Sequence, residues 1–230
     1  MWWWIWLWGC EVGGAPGTPA PEVDLGLRFT FPVAEPDRIN QLIGFDHDPS
    51  AHELLLEQMI CTDYLERGFP HCYDEHDGSD FILEGGFDAM DAGSPEIVAG
   101  ADGVVVDAED GHYDRCHGTF SGVDCDGNDG IANSVTLEHE DGTRSLYWHM
   151  QLGSVVVSVG DAVLRGQALG RIGSSGNSSV PHLHFEVVDP DGVVFDPYAG
   201  PASQPRSAWC AQGEPDGLPA SAVGLGGDCP

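Results

Sequence analysis

Apolar positions along the chain fall into distinct regimes. Between Ile39 and Arg67, the cluster Leu54, Leu55, Leu56, Met59 and Ile60 follows Pro49-Ser50. Ser50 is suited to cap a helix N-terminus, so the pattern predicts one short N-terminal helix. From Ile97 onwards the pattern changes to short β-branched runs split by Gly and Asp: Val104–Val106, Ser134–Glu138, Ser145–His149, Val155–Val159, Leu169–Ile172 and His182–Val188. Runs of this length and alternation predict a mainly antiparallel β domain. Two segments, Val98–Gly111 (VAGADGVVVDAEDG) and Val157–Gly173 (VSVGDAVLRGQALGRIG), each join an apolar run to a Gly-Asp turn and predict two related hairpin units.

Outside this β-rich centre the periodicity is lost. Glu11–Glu22 (EVGGAPGTPAPE) has the composition of a flexible tether that cannot bury enough apolar surface to fold. The tail from Gly200 to Pro230 returns to Pro, Gly and Ala and predicts irregular chain. The 230 residues therefore divide into a leader-like segment 1–10, a linker 11–27, an N-terminal subregion 28–75 packed on the main domain, one β domain 76–199 and the tail 200–230.

Charge narrows the chemistry. With 38 acidic side chains against 8 basic ones, the formal net charge is -30, which repels nucleic acid and most other polyanions. All eight basic residues are arginines. A chain without lysine cannot hold a P-loop lysine, form a Schiff base with pyridoxal phosphate, or carry lipoyl or biotinyl groups. The Val157–Gly173 unit resembles the hairpin of lipoyl and biotinyl domains, and the missing lysine removes that function.

Seven cysteines point to an oxidising compartment. The first ten residues, MWWWIWLWGC, are apolar but too short to span a bilayer, and Leu7-Trp8-Gly9-Cys10 resembles a bacterial lipobox, predicting membrane attachment through a lipidated Cys10. Six cysteines remain in three close sequence pairs, Cys61/Cys72, Cys116/Cys125 and Cys210/Cys229, which suggest three local disulfides among fifteen possible pairings. The expected location is the cell envelope, as an anchored lipoprotein or a periplasmic or secreted protein, and the expected state is a monomer.

Ten histidines are present, and their spacing sorts them. His182 and His184, in PHLHFEV, are two apart in a strand-like run, so both imidazoles project to one face about 6.5 Å apart. In HDGSDF, His76 and Asp80 flank a Gly-Ser turn that can bring both towards one point, and nitrogen and oxygen donors of this kind suit zinc. His149 ends another alternating run, SLYWHM, whose period places it on the face opposite Trp148.

Together and in this order, these motifs resemble the M23 metallopeptidases, the lysostaphin and LytM type of peptidoglycan endopeptidase. The resemblance runs from about His76 to Pro197 through HDGSDF, ADGVVV, VTLEHEDG, SLYWHM, the Gly-Asp hairpin with its GSSGNSS loop, and PHLHFEV. It implies an antiparallel β-sheet groove of the duplicated-hybrid-motif, or barrel-sandwich hybrid, type. It further implies that His76, Asp80 and His184 ligate Zn2+ with a fourth position open, the arrangement of a catalytic zinc, and that His149 and His182 are the catalytic histidines. The substrate would be the peptide part of peptidoglycan, in its stems or cross-bridges. The resemblance leaves open which histidine is the general base.

Several features fit the family pattern less closely. Val180 stands where a glycine usually precedes the proline, and IGFDHDP (Ile43–Pro49) is a divergent counterpart of the family's N-terminal signature. Residues Gly173–Ser179 are expected to edge the groove with backbone donors for an extended peptide. Degenerate members of the family act as regulators that activate other wall hydrolases, usually after losing ligands or catalytic histidines; here all five are present. The insertion Asp107–Asn133 contains DCDGNDG, which echoes an EF-hand loop, but Asp129 replaces the sixth-position glycine and Val135 the bidentate glutamate, so a solvated, disulfide-closed loop is expected. His139 is read as structural.

Overall fold

Leu183, Phe185 and Val187 alternate with His182, His184 and Glu186 along the last strand, and that alternation divides the main sheet into a core face and a groove face. A computed structural model describes residues 26–40, 46–48, 61–215, 217–226 and 229; the leader, most of the tether and the helix expected around Leu54 lie outside the described residues. Ten strands are present among them: β1 Ser79–Ile82, β2 Glu96–Val98, β3 Gly103–Glu109, β4 His117–Thr119, β5 Gly122–Asp124, β6 Ser134–Glu138, β7 Arg144–Trp148, β8 Ala162–Val163, β9 Ala168–Arg171 and β10 His182–Val188. Six form one antiparallel sheet in the order β1-β10-β7-β6-β3-β8, while β2 pairs with β9 and β4 with β5. The mainly antiparallel β architecture follows the expected fold class, and the sheet is open rather than closed into a barrel.

The core face is built from strand residues two apart. Phe81, Val135, Leu137, Tyr147, Leu183, Phe185 and Val187 are fully buried there. Phe29 and Phe31 enter from the N-terminal segment and complete this layer. The Phe29 ring meets those of His139 at 5.3 Å, Phe185 at 5.6 Å and Trp209 at 6.4 Å. Its backbone is clasped by the tail: Phe29 N–H donates to Ala208 O and Cys210 N–H to Phe29 O, while Phe31 N–H donates to Ala220 O. All three close cysteine pairs are disulfides, Cys61–Cys72, Cys116–Cys125 and Cys210–Cys229.

The two Gly-Asp units are present but are not hairpins. Instead of folding back on itself, each pairs with the other: Val98 lies opposite Ala168 in β2/β9, and Gly103 lies opposite Val163 in β3/β8. Backbone bonds from Ala99 N–H to Gln167 O, Gly166 N–H to Ala99 O and Gly160 N–H to Val105 O bind the turn of each unit to its counterpart. The exchange lets both units contribute apolar residues to one core, as Ile97, Val105, Val163 and Leu169 do.

Two strand expectations change. Val155–Val159 is extended but forms no ladder: Val156 N–H reaches Leu169 O, only Val157 is buried, and Val156 and Val159 face solvent. The run Ser145–His149 ends at Trp148 because His149 leaves the strand with φ 66°. One α-helix among the described residues, α1 (Gly86–Gly93), had no counterpart in the hydrophobic pattern; it buries Met90 alone of its eight residues. Residues 107–133 form the expected cystine-closed insertion, with β4–β5 as its hairpin.

The Phe29→Ala variant should lose about 3–5 kcal/mol of unfolding free energy, the range for deleting a buried aromatic ring. Urea denaturation followed by tryptophan fluorescence measures this, and a loss under about 1 kcal/mol would mean that the N-terminal segment is not part of the core.

Candidate metal centre and active site

Strand register brings the chemistry together. Across β1/β10, Asp80 lies directly opposite His184, and across β10/β7 His184 lies opposite Trp148, so three neighbouring strands present these residues on one face. His76 arrives from the loop before β1. Gly78 permits that loop to press against β10: a Cβ there would lie 2.6 Å from Phe185 O and 2.8 Å from the His184 ring.

His76, Asp80 and His184 converge on one point, and all three are buried. His76 Nε2 is 3.2 Å from Asp80 Oδ1 and 3.1 Å from His184 Nδ1, and His184 Nδ1 is 3.0 Å from Asp80 Oδ1. Donors about 2.0–2.1 Å from a tetrahedral ion stand about 3.3 Å from one another, so this triangle has the size of one face of such a site. The histidine tautomers suit the role. His76 Nδ1–H donates to Asp46 O at 2.8 Å, which leaves the Nε2 lone pair aimed at the triangle. His184 Nε2 faces Glu186 Oε2 at 3.6 Å, a carboxylate behind an imidazole.

Two imidazole nitrogens and a carboxylate at this separation favour a shared proton or a cation between them. Burial opposes ionisation of Asp80, yet His76 and His182, with hydrogen bonds from His182 and His184, hold its carboxyl well below the usual range. Burial likewise opposes a proton on His184, but hydrogen bonds to Asp80 and Glu186 outweigh it and raise the imidazole to about 9. A divalent ion held by the same atoms would compete with that proton. The donor set therefore fits a metal such as zinc.

His149 and His182 stand beside the triangle, their rings 4.6 Å apart, with His149 5.9 Å from His184. His149 is not on the face opposite Trp148. Its φ of 66° breaks the strand alternation, and the Trp148 and His149 rings both approach His184. His149 Nδ1–H donates to Ser175 O at 2.7 Å, and burial, followed by the neighbouring His182 and His184, holds the ring well below its ordinary pKa. The result is a neutral imidazole with a free Nε2 lone pair. His182 Nδ1–H donates to Val180 O at 2.8 Å, and its Nε2 stands 3.4 Å from Asp80 Oδ1.

Cavities of about 530 Å³ and about 590 Å³ lie on either side. His149 and Trp148 line the first, Asp80 and His182 the second, and Asn177 borders both. The Gly-Ser loop both edges the groove, through Gly176, Asn177 and Ser179, and supports the site. Ser174, Ser175 and Ser178 turn inward and are buried, the Ser178 hydroxyl lying 3.1 Å from His182 Nδ1, so Asn177 is the residue of that loop common to both cavities. Asp46 O, Ser175 O and Glu186 were not among the predicted site residues. Asp46 belongs to the IGFDHDP motif, which was the available signal; a backbone carbonyl such as that of Ser175 has none. His139 is structural, as expected: it donates from Nδ1 to Asp102 O and its Nε2 meets the Ser145 hydroxyl.

The model of the family described as Peptidase family M23 matches residues 75–197. The chain is 34% identical over 111 residues to glycyl-glycine endopeptidase ALE-1 of Staphylococcus capitis, covering 48% of this chain and 24% of that protein. It is 35% identical over 85 residues to murein hydrolase activator EnvC of Escherichia coli, covering 37% of this chain and 20% of that protein. Among solved structures it is similar to the catalytic domain of lysostaphin from Staphylococcus simulans, at 30% identity and a TM-score of 0.36 over 54% of this chain and 76% of that one. The chain thus spans a quarter or less of the length of these two curated relatives.

If His76, Asp80 and His184 hold a metal, a proton competes for His184, and metal affinity should rise about tenfold per pH unit through neutrality and level off as the imidazole, raised to about 9, loses its proton. Calorimetric titration at pH 7.5 in buffers of different ionisation enthalpy should report release of about one proton per ion bound. An enthalpy independent of the buffer contradicts this assignment.

Proposed function

The chain belongs to peptidase family M23, and on that footing we propose that it is a zinc-dependent endopeptidase hydrolysing peptide bonds in peptidoglycan stems or cross-bridges. The observation that carries the reading is the convergence of His76, Asp80 and His184 within hydrogen-bond distance of one another, with two further imidazoles alongside. In this reading the three converging side chains hold zinc, and His149 and His182 carry protons. A zinc ion so held supplies Lewis acidity, acidifying water to a pKa of about 7 and polarising the scissile carbonyl.

The chain's own residues do the remainder. His149 Nε2, uncharged and pinned from behind by Ser175 O, accepts a proton from the attacking water. His182, ring to ring with it at 4.6 Å, stabilises the developing oxyanion or serves the leaving amine. The two cavities flanking these histidines accommodate the peptide on either side of the bond that is cut, with Asn177 between them. An uncharged base in a buried site needs no proton removed before it can act near neutral pH.

The same reading assigns the protein to the cell envelope as a monomer. The three disulfides support an oxidising compartment. No helix among the described residues is long and apolar enough to cross a membrane; in this reading the protein is attached through a lipidated Cys10, which lies outside the described residues. The similarity to EnvC favours a second reading, a non-cleaving regulator that activates a wall amidase. Retention of all five site residues favours the enzyme.

Cross-linked peptidoglycan incubated with the protein should yield new amine ends, identified by mass spectrometry and abolished by a zinc chelator. Activation of an amidase with no bond cut by the protein alone would establish the regulator instead. His149→Ala should keep its zinc and lose about 10²–10⁴-fold in kcat, whereas His184→Ala should lose the metal as well. Equal zinc contents in the two variants would refute this division of roles.

A further inference from the structure

His149 is held in a left-handed backbone conformation that costs a non-glycine residue free energy; its carbonyl accepts from Gly173 N–H at 3.0 Å, and the peptide group that follows it is bonded to Asn133. Asn133 is fully buried at the junction between the 107–133 insertion and β6. Its Nδ2 donates to Met150 O at 3.1 Å and to His112 O at 2.9 Å, and its Oδ1 accepts from His112 N–H at 2.8 Å. Its backbone bonds in the same direction: Met150 N–H donates to Asn133 O at 2.9 Å, and Asn133 N–H donates to the Ser175 hydroxyl at 2.9 Å. That hydroxyl donates to Met150 O at 2.9 Å, and the carbonyl of the same serine accepts His149 Nδ1–H at 2.7 Å.

Each of these bonds ends on one of three places. They are the peptide groups of Met150, immediately after His149; Ser175, which fixes the His149 tautomer; and His112, at the base of the insertion. A planar amide can satisfy this set because it offers two donors and an acceptor at once. A carboxylate would turn lone pairs on two carbonyls, and an apolar side chain would leave the His112 peptide groups without this partner and Met150 O with the Ser175 hydroxyl alone.

We propose that Asn133 is the positioning residue for His149. It ties the turn that carries this histidine to the root of the cystine-closed insertion and, through its backbone N–H and the Ser175 hydroxyl, to the residue whose carbonyl holds His149 Nδ1–H, and so sets where Nε2 points. The proposal rests on His149 acting in peptide hydrolysis, but the geometry it concerns can be read without turnover.

The test uses the full chain loaded with zinc, comparing wild type with Asn133→Ala, Asn133→Asp and Ser175→Ala. The last removes only the hydroxyl between Asn133 N–H and Met150 O. Imidazole nitrogen–proton NMR on histidine-labelled protein should show His149 as a single Nδ1–H tautomer in wild type. In the Asn133 variants that signal should be lost or exchange-broadened, while that of His182, held by Val180 O, persists. Ser175→Ala should give the same change in weaker form, and supplies the reading should the Asn133 variants fail to fold.

With a cleavable peptide, kcat should fall about 10²-fold in the Asn133 variants, with KM within about threefold and zinc content unchanged, as expected for a displaced catalytic group. An unaltered His149 signal in folded, zinc-loaded variants overturns the proposal, as does a loss confined to KM. If wild type cuts no peptide while the His149 signal still depends on Asn133, the hydrolytic reading fails and the positioning role stands.

Discussion

Pairing register is the constraint on which the rest of this structure depends. Asp80 faces His184, and His184 faces Trp148, along one row that crosses three strands. Because side chains alternate with a period of two, a slip of one residue in either pairing would turn the histidines of β10 into the core and bring Leu183 or Phe185 into the groove. The buried layer of Phe81, Tyr147, Leu183 and Phe185 opposes any such slip. Hydrophobic packing on one face of the sheet thus determines the geometry of polar donors on the other.

Behind the converging residues stands a second tier made mainly of backbone. Three of the four imidazoles at the site donate from Nδ1 to a main-chain carbonyl, those of Asp46, Ser175 and Val180. A peptide carbonyl cannot ionise or rotate away, so it defines a tautomer more firmly than a flexible side chain would. His184 is the exception. It directs Nδ1 inward and has Glu186 at its back, and it is the imidazole whose proton affinity the surrounding carboxylates raise. The site combines an electron-rich point for a cation with neighbouring imidazoles that differ in their hold on protons.

Much of this was legible in the sequence because it follows from spacing. The two-residue interval of His182 and His184 places both on one face, and the short runs of alternating residues locate β6, β7 and β10 closely. The three cysteine pairs were readable from proximity alone. What escaped was mostly non-local. The Gly-Asp turns show where the chain reverses but not which partner it meets, so the exchange between the two units remained hidden. Helix α1 buries a single side chain and therefore leaves no amphipathic trace. The reversal of His149 depends on a left-handed residue after β7, and no side-chain pattern encodes it; its support at Asn133 consists of bonds that become visible only once three distant segments meet.

The aromatic clasp at the rear of the sheet has a mechanical consequence. Phe29 and Phe31 make parallel bridges with Trp209 and Ser221, so the two ends of the fold are laced to each other, while the Phe31 ring packs on Phe81 of β1 at 4.9 Å and Asn40 N–H donates to Ile82 O. A pull applied ahead of residue 28 would load these bridges in shear, against rings packed on Phe185 and Trp209. A load at that end would therefore be shared between the tail and the core face of the sheet.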